Sequence, residues 1–126
     1  MAKTSGWIAI VDDDAAVLKA LARLLGTRSF NARTYRSGQE FLASLADDLP
    51  DCLLLDLQMP EMTGLELQQN LARKGIRIPT IIITAHDESG MRERCKAAGA
   101  IAYLAKPLQD TSLFAAIDAA GRSAKN

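Results

Sequence analysis

Histidine is nearly absent from this 126-residue chain, with one copy at His86, and cysteine occurs only at Cys52 and Cys95. The cysteines lack metal-motif spacing, so nothing competes for a soft metal. Cys52 sits beside an apolar run where a buried free thiol is the ordinary state, which fits a reducing, cytoplasmic setting. Net charge is missing too: fifteen basic and fifteen acidic residues cancel, leaving no bulk attraction to nucleic acid or a membrane surface. DNA binding, if any, would belong to another polypeptide or segment. No apolar run approaches a bilayer span, and residues 1–7 contain no apolar signal region, so no visible signal exports or inserts the chain. Also missing are a Gly-rich phosphate cradle, a Gly-x-x-x-x-Gly-Lys-Ser/Thr loop, an internal repeat and any low-complexity segment.

What is present suits one compact domain. Hydrophobic residues make up 48% and charged residues 24% of the chain, enough for a single sizeable core. Residues 7–11 (Trp-Ile-Ala-Ile-Val) form a short β-rich run that stops at Asp12, Asp13 and Asp14. Val17, Leu18, Leu21, Leu24 and Leu25 then recur at helical spacing, with Asp14 as the N-cap and Gly26 near the end. Residues 30–35 alternate weakly and read as an outer strand. Ser37 and Glu40 have the form of a capping box. The helix they open carries Phe41, Leu42 and Leu45 and ends near residues 47–50.

A second apolar run, Leu53 to Leu55, ends in Asp56 and then in turn chemistry from Pro60 to Gly64, as a strand covered on both faces would. Thr63 and Glu66 open a helix through Leu67 and Leu71 to about Lys74, with Gly75 as its stop. Residues 80–84 (Thr-Ile-Ile-Ile-Thr) are almost wholly β-branched and must be central. The helix expected over residues 88–98 offers only Met91 and Cys95 as apolar anchors and should be loosely held. Residues 101–105 form a fifth strand ending at Lys106 and Pro107. Asp110 caps a last helix with Leu113, Phe114 and Ile117, closed by Gly121, and residues 122–126 read as a tail or the start of a linker.

Five strand–helix alternations with short connections predict an α/β fold, a parallel sheet with helices on both faces. In such sheets the functional crevice lies beyond the carboxyl ends of the strands. The residues that fall there are Asp12, Asp13, Asp56, Thr84 and Lys106. Clustered carboxylates repel and call for a cation, and this hard-oxygen set suits magnesium. A divalent ion beside a carboxylate, a hydroxyl and an ammonium supplies the parts for phosphoryl transfer, with Asp56 as the nucleophile and Thr84 and Lys106 meeting charge on the phosphoryl oxygens. The donor is then another protein or a small acyl phosphate. Asp14 is assigned to capping, Met59 and Met62 to loop packing, Tyr103 to a half-buried strand position and His86 to a solvated loop.

Asp12-Asp13 after a hydrophobic strand, Asp56-Leu57-Gln58-Met59-Pro60 with Gly64, Thr84-Ala85, and Lys106-Pro107 preceded by Tyr103 together resemble the receiver domain of two-component response regulators. The likeness covers residues 7–121, with residues 1–6 left as an N-terminal tail. It implies a flavodoxin-like doubly wound five-stranded sheet of order 2-1-3-4-5 with five helices. It further implies phosphorylation of Asp56 by a sensor histidine kinase or phosphotransfer protein. Magnesium or manganese would be held by Asp13, Asp56 and the Gln58 backbone carbonyl, with Asp12 helping through water. Thr84 and Lys106 would contact the phosphoryl group, Tyr103 matches an aromatic rotamer switch, and Gln58 and His86 match positions that tune phosphoryl lifetime. The peptide bond before Pro107 is expected to be cis. Phosphorylation would repack the fourth helix with Tyr103, changing the helix 4/strand 5/helix 5 surface toward a partner, a homodimer or an attached, possibly transcriptional, output domain.

Two other functions share these parts. A magnesium-dependent aspartyl-nucleophile phosphohydrolase of the haloacid-dehalogenase kind carries a general acid two residues after its nucleophile, where this chain has Gln58. That departure points to a signalling acceptor with slow self-dephosphorylation rather than an enzyme. The other is a receiver-like interaction module that is never phosphorylated. A flavin-binding module is more distant, since no phosphate loop follows the first strand.

Overall fold

Alternation of side chains along the central strands decides the architecture. In a computed structural model that describes residues 6–46 and 48–125, β1 (Ile8–Val11), β2 (Ala32–Tyr35), β3 (Cys52–Asp56), β4 (Thr80–Thr84) and β5 (Ala100–Ala105) pair in one parallel sheet of order 2-1-3-4-5. Odd-numbered positions Ala9, Val11, Leu53 and Leu55 with Ile82 bury one face, and Ile8, Ile10, Leu54, Ile81 and Ile83 the other. The first face is covered by Phe41 of α2 (Gly38–Ser44), by Leu67 and Leu71 of α3 (Gly64–Arg73) and by Cys95 of α4 (Met91–Ala97). The second is covered by Leu18, Leu21 and Leu25 of α1 (Ala15–Gly26) and by Leu113, Phe114 and Ile117 of α5 (Asp110–Lys125). β1, β3 and β4 are buried along their whole length, while β2 is partly exposed at the sheet edge, as expected of doubly covered and outer strands. No helix among the described residues is long and apolar enough to cross a membrane.

Local chemistry sets the helix starts. The Asp14 carboxylate accepts from the Ala16 and Val17 amides, and Thr63 and Glu66 close a reciprocal capping box at α3. At α2 the box is displaced: Ser37 Oγ accepts from Glu40 N, but the Glu40 carboxylate accepts from Arg36 N, one residue earlier than expected. α2 stops at Ser44, with Ser44 Oγ donating to the Phe41 carbonyl, short of the expected end near residues 47–50. Residues 1–5 and Asp47 lie outside the described residues.

Three boundaries move for physical reasons. α4 begins only at Met91, because Gly90 in the left-handed region (φ 82°) starts it without a side-chain cap. β5 begins one residue early, at Ala100, because a register shift at the edge pairs Ala100 with Thr80 and Ala102 with Ile81 and leaves Ile101 as an outward-facing extra residue; such bulges suit edge strands. α5 runs through Gly121, which does not close it. A lone glycine costs an exposed helix under about 1 kcal/mol. Asp110 is the first helical residue rather than the cap, since Leu113 N donates to the Gln109 carbonyl; an acid still suits the first turn.

At the amino end of β1, opposite the acidic strand ends, Trp7 is buried. Its indole N–H donates to Asp48 (2.8 Å), and the Arg33 guanidinium lies 4.0 Å over its ring.

Candidate functional site

Register alone gathers the acids. Val11 pairs with Leu55, and Asp56 pairs with Ile83, so Asp12, one residue past Val11, emerges beside Asp56, and Thr84 follows on the neighbouring strand. Thr84 pairs in turn with Ala105, and Lys106 comes next. Lys106 N donates to the Thr84 carbonyl (2.7 Å), and the Lys106–Pro107 peptide bond is cis. Carboxylate oxygens of Asp12, Asp13 and Asp56 lie within 4.8 Å of one another, with Asp12 and Asp56 buried and Asp13 exposed. The Lys106 ammonium stands 3.2 Å from Asp12 Oδ2 and 3.6 Å from Asp56 Oδ1.

Charge in this cluster is unbalanced. Burial is the main reason that the Asp56 carboxyl is pushed up from 3.8 to about 6; Asp12 and Asp13 push the same way and Lys106 pulls it back. Burial would lower the Lys106 ammonium, but the Asp56 and Asp12 carboxylates and hydrogen bonds to both outweigh it and hold it above its ordinary value. One cation facing three acids leaves a deficit of positive charge. A hard-oxygen donor set with that deficit fits a magnesium ion, which takes one or two carboxylates and keeps much of its water. The observation behind the fit is the donor set itself: carboxylate oxygens of three aspartates within 4.8 Å of one another, with Lys106 alone facing them.

Three of the expected site residues are joined in a ring of hydrogen bonds. The Thr84 hydroxyl lies 2.8 Å from Gln58 Oε1, Gln58 Nε2 lies 3.2 Å from the His86 carbonyl, and His86 N donates to Thr84 Oγ1 at 3.0 Å. His86 enters through its backbone, and its side chain is exposed. Nothing in residue type signalled the ring, because it depends on the β4–α4 turn bringing His86 back over Thr84. Gly64 is a second feature hidden in the sequence. A Cβ there would stand 2.5 Å from the Asp56 carbonyl oxygen and 3.0 Å from Leu57 Cα, and Gly64 N donates to the Leu57 carbonyl (2.9 Å). The start of α3 thus rests directly on the backbone that carries Asp56.

Tyr103 is more deeply placed than its expected half-buried strand position, at 5% exposure, and its hydroxyl meets no partner in good hydrogen-bond geometry among the described residues, with the Asp87 carboxylate its nearest acidic neighbour. Burial, reinforced by the Asp87 carboxylate, pushes its phenol up to about 12. The Arg92 guanidinium of α4 lies 4.7 Å over the ring. Beyond that, α4 buries only Cys95 and is tied to α3 where Gln68 Nε2 donates to the Cys95 carbonyl (3.2 Å), in keeping with its few anchors in the sequence. Met59 is buried and Met62 packs at Gly38, both as loop packing. A hollow of about 900 Å³ at the opposite end of the sheet, lined by Leu71, Ile76, Ile78 and Arg77, includes none of the five strand-end residues.

Against known proteins, residues 8–118 match the family described as response regulator receiver domain. The chain is 40% identical over 111 residues to the transcriptional regulatory protein FixJ of Rhizobium meliloti, covering 88% of this chain and 54% of that protein. The crystal structure of FixJ-N superposes with a TM-score of 0.87 at 37% identity, covering 95% of this chain and 96% of that one. A receiver protein from Burkholderia phymatum gives a TM-score of 0.81 at 45% identity, covering 92% and 94%. The chain spans about half the length of the curated relatives it matches.

Proposed function

The chain belongs to the response regulator receiver domain family, and on that premise we propose that Asp56 is its phosphoacceptor. Receiver domains work with histidine kinases or phosphotransfer proteins, and such a protein is the proposed donor here. One oxygen of the Asp56 carboxylate forms a bond to phosphorus while the donor's P–N bond breaks, its electron pair staying on the donor's imidazole. In an acyl phosphate it is the P–O bond to the acyl group that breaks, and the carboxylate leaves, acetate in the case of acetyl phosphate. Asp56 must be ionised to attack; without a cation its carboxyl stands at about 6, and a bound divalent ion would further favour the ionised form.

Asp13, Asp56 and the Gln58 carbonyl, with Asp12 through water, would hold magnesium or manganese. When bound, the ion offsets charge on the phosphoryl oxygens. Lys106 serves the same charge from within the chain, and the Thr84 hydroxyl is the remaining donor. The observation that carries this reading is the position of Asp56 in register, between two acids on one side and Lys106 on the other. The hydrolase alternative loses ground here, because Gln58 is engaged with Thr84 and offers no acid.

The remaining readings follow from that site. Tyr103 with the weakly anchored α4 is the switch, changing the α4–β5–α5 surface toward a partner or homodimer. Gln58 and His86 tune a slow self-dephosphorylation. Residues 7–121 form the receiver and residues 1–6 precede it; because α5 continues to Lys125, residues 122–125 extend the last helix as the start of a linker rather than a free tail. The setting is cytoplasmic, and the output is a partner or an attached domain, for which the name of FixJ favours a transcriptional role. The test is intact-mass measurement after acetyl phosphate. We expect one added phosphoryl group with magnesium and none in chelator; a folded protein that gains no mass with magnesium would rule out the acceptor role.

A further inference from the structure

The Thr84 hydroxyl has one proton and two acceptors at 2.8 Å, Gln58 Oε1 and the His86 carbonyl. It donates to only one at a time. Gln58 decides which. Its amide nitrogen must face the His86 carbonyl, since the flipped amide would set two acceptors against each other there and leave its Nε2 beside Thr84. With the carbonyl of His86 satisfied by Gln58, the Thr84 proton goes to Gln58 Oε1, and the ring closes through His86 N to Thr84 Oγ1. Each of the three groups donates once and accepts once, and closed chains of this kind strengthen one another.

From this we infer that Gln58 is a positioning residue that holds Thr84 and the β4–α4 turn in the unphosphorylated arrangement, acting as a brake on the switch separately from any effect on phosphoryl lifetime. This inference rests on the acceptor reading of Asp56. For Thr84 to donate its proton to a phosphoryl oxygen, the bond to Gln58 must break, and the turn that carries His86 is released with it. Gln58 is half-buried, so its freed amide returns to water at little cost. Removing the amide leaves no orphan either, because the Thr84 proton falls back to the His86 carbonyl. The ground state alone loses its ring, and the switched state is favoured.

The test uses beryllium fluoride with magnesium, a phosphoryl mimic that does not hydrolyse, so lifetime drops out of the measurement. Binding to wild type, Gln58→Met and Gln58→Asn is followed by calorimetry, with thermal melts showing that each variant is folded. Methionine keeps the volume without hydrogen bonds, and asparagine keeps an amide too short to span both partners. Both variants are expected to bind the mimic about 3- to 10-fold more tightly, on the order of one net hydrogen bond, and the His86 amide resonance to shift in the free proteins. A merely structural role for Gln58 would weaken binding, so equal or weaker binding by the folded variants overturns the brake while leaving the acceptor reading intact. Failure of wild type itself to bind overturns both.

Discussion

Asp56→Asn is expected to gain no phosphoryl mass and, in magnesium-free buffer at neutral pH, to be more stable than wild type by about 2 kcal/mol. The loss of uptake follows because an amide is not a nucleophile toward phosphorus under conditions where a carboxylate is. The gain in stability follows from the direction in which the Asp56 carboxyl is displaced. It stands at about 6 in the folded chain against an ordinary 3.8, so between those values the folded state binds more protons than the unfolded state. Stability therefore falls as pH rises through that window and stays low above it; at about 1.4 kcal/mol for each pH unit the window alone would give about 3 kcal/mol, which solvent screening at the mouth of the site reduces to about 2. Asparagine has no charge to place there, and Lys106 keeps its closer partner Asp12. Urea unfolding with chelator at pH 4 and pH 7 checks both parts: the wild type should weaken between the two and the variant far less. Magnesium should then raise wild-type stability by binding the folded state, with a much smaller effect on the variant. A variant less stable than wild type at pH 7 would mean that the acids are not in conflict.

Gly64→Ala should cost about 3 kcal/mol, the upper part of the range for overpacking, because the clash is with backbone rather than a flexible side chain. The Asp56 carbonyl and Leu57 Cα cannot give way without moving β3. Leu57 is itself pinned, its amide donating to the Ile83 carbonyl and its own carbonyl accepting from Gly64. The start of α3 must then lift from the loop, and Asp56 should lose alignment with Asp12 and Lys106. Phosphoryl uptake is expected to slow along with the loss of stability. Gly121→Ala is the control. It sits in α5 with open space around its Cβ position, so it should stabilise by under about 1 kcal/mol. Equal unfolding midpoints for Gly64→Ala and wild type would remove the close-approach argument.

The strands and the acids were legible because both depend on short-range pattern. A β-branched run such as residues 80–84 has few other uses than a central strand, and a parallel sheet sends every strand's last residue to one edge. Asp12, Asp56, Thr84 and Lys106 could therefore be assembled without coordinates. What escaped were features set by one backbone approaching another. Glycine at position 64 reads as a turn residue until the Asp56 carbonyl is found against it. Gln58 reads as a variable polar residue until the turn after β4 brings His86 within reach. The ends of α4 and α5 escaped for an energetic reason, since a single glycine weighs less than the packing of a turn, so Gly90 could open one helix while Gly121 failed to close another. Tyr103 came out more buried than its strand position implied, because Arg92 covers its ring.

Trp7 carries a practical consequence. It is the chain's one tryptophan, held by Asp48 and covered by Arg33 at the amino end of β1, with the length of the sheet between it and the strand ends that carry Asp56. Its emission is expected to report whether the domain is folded, with little response to what occupies the acidic edge. Unfolding curves can be read from it with and without magnesium on a common baseline, whereas a fluorophore meant to test the proposed switch belongs on α4 or the turn before it.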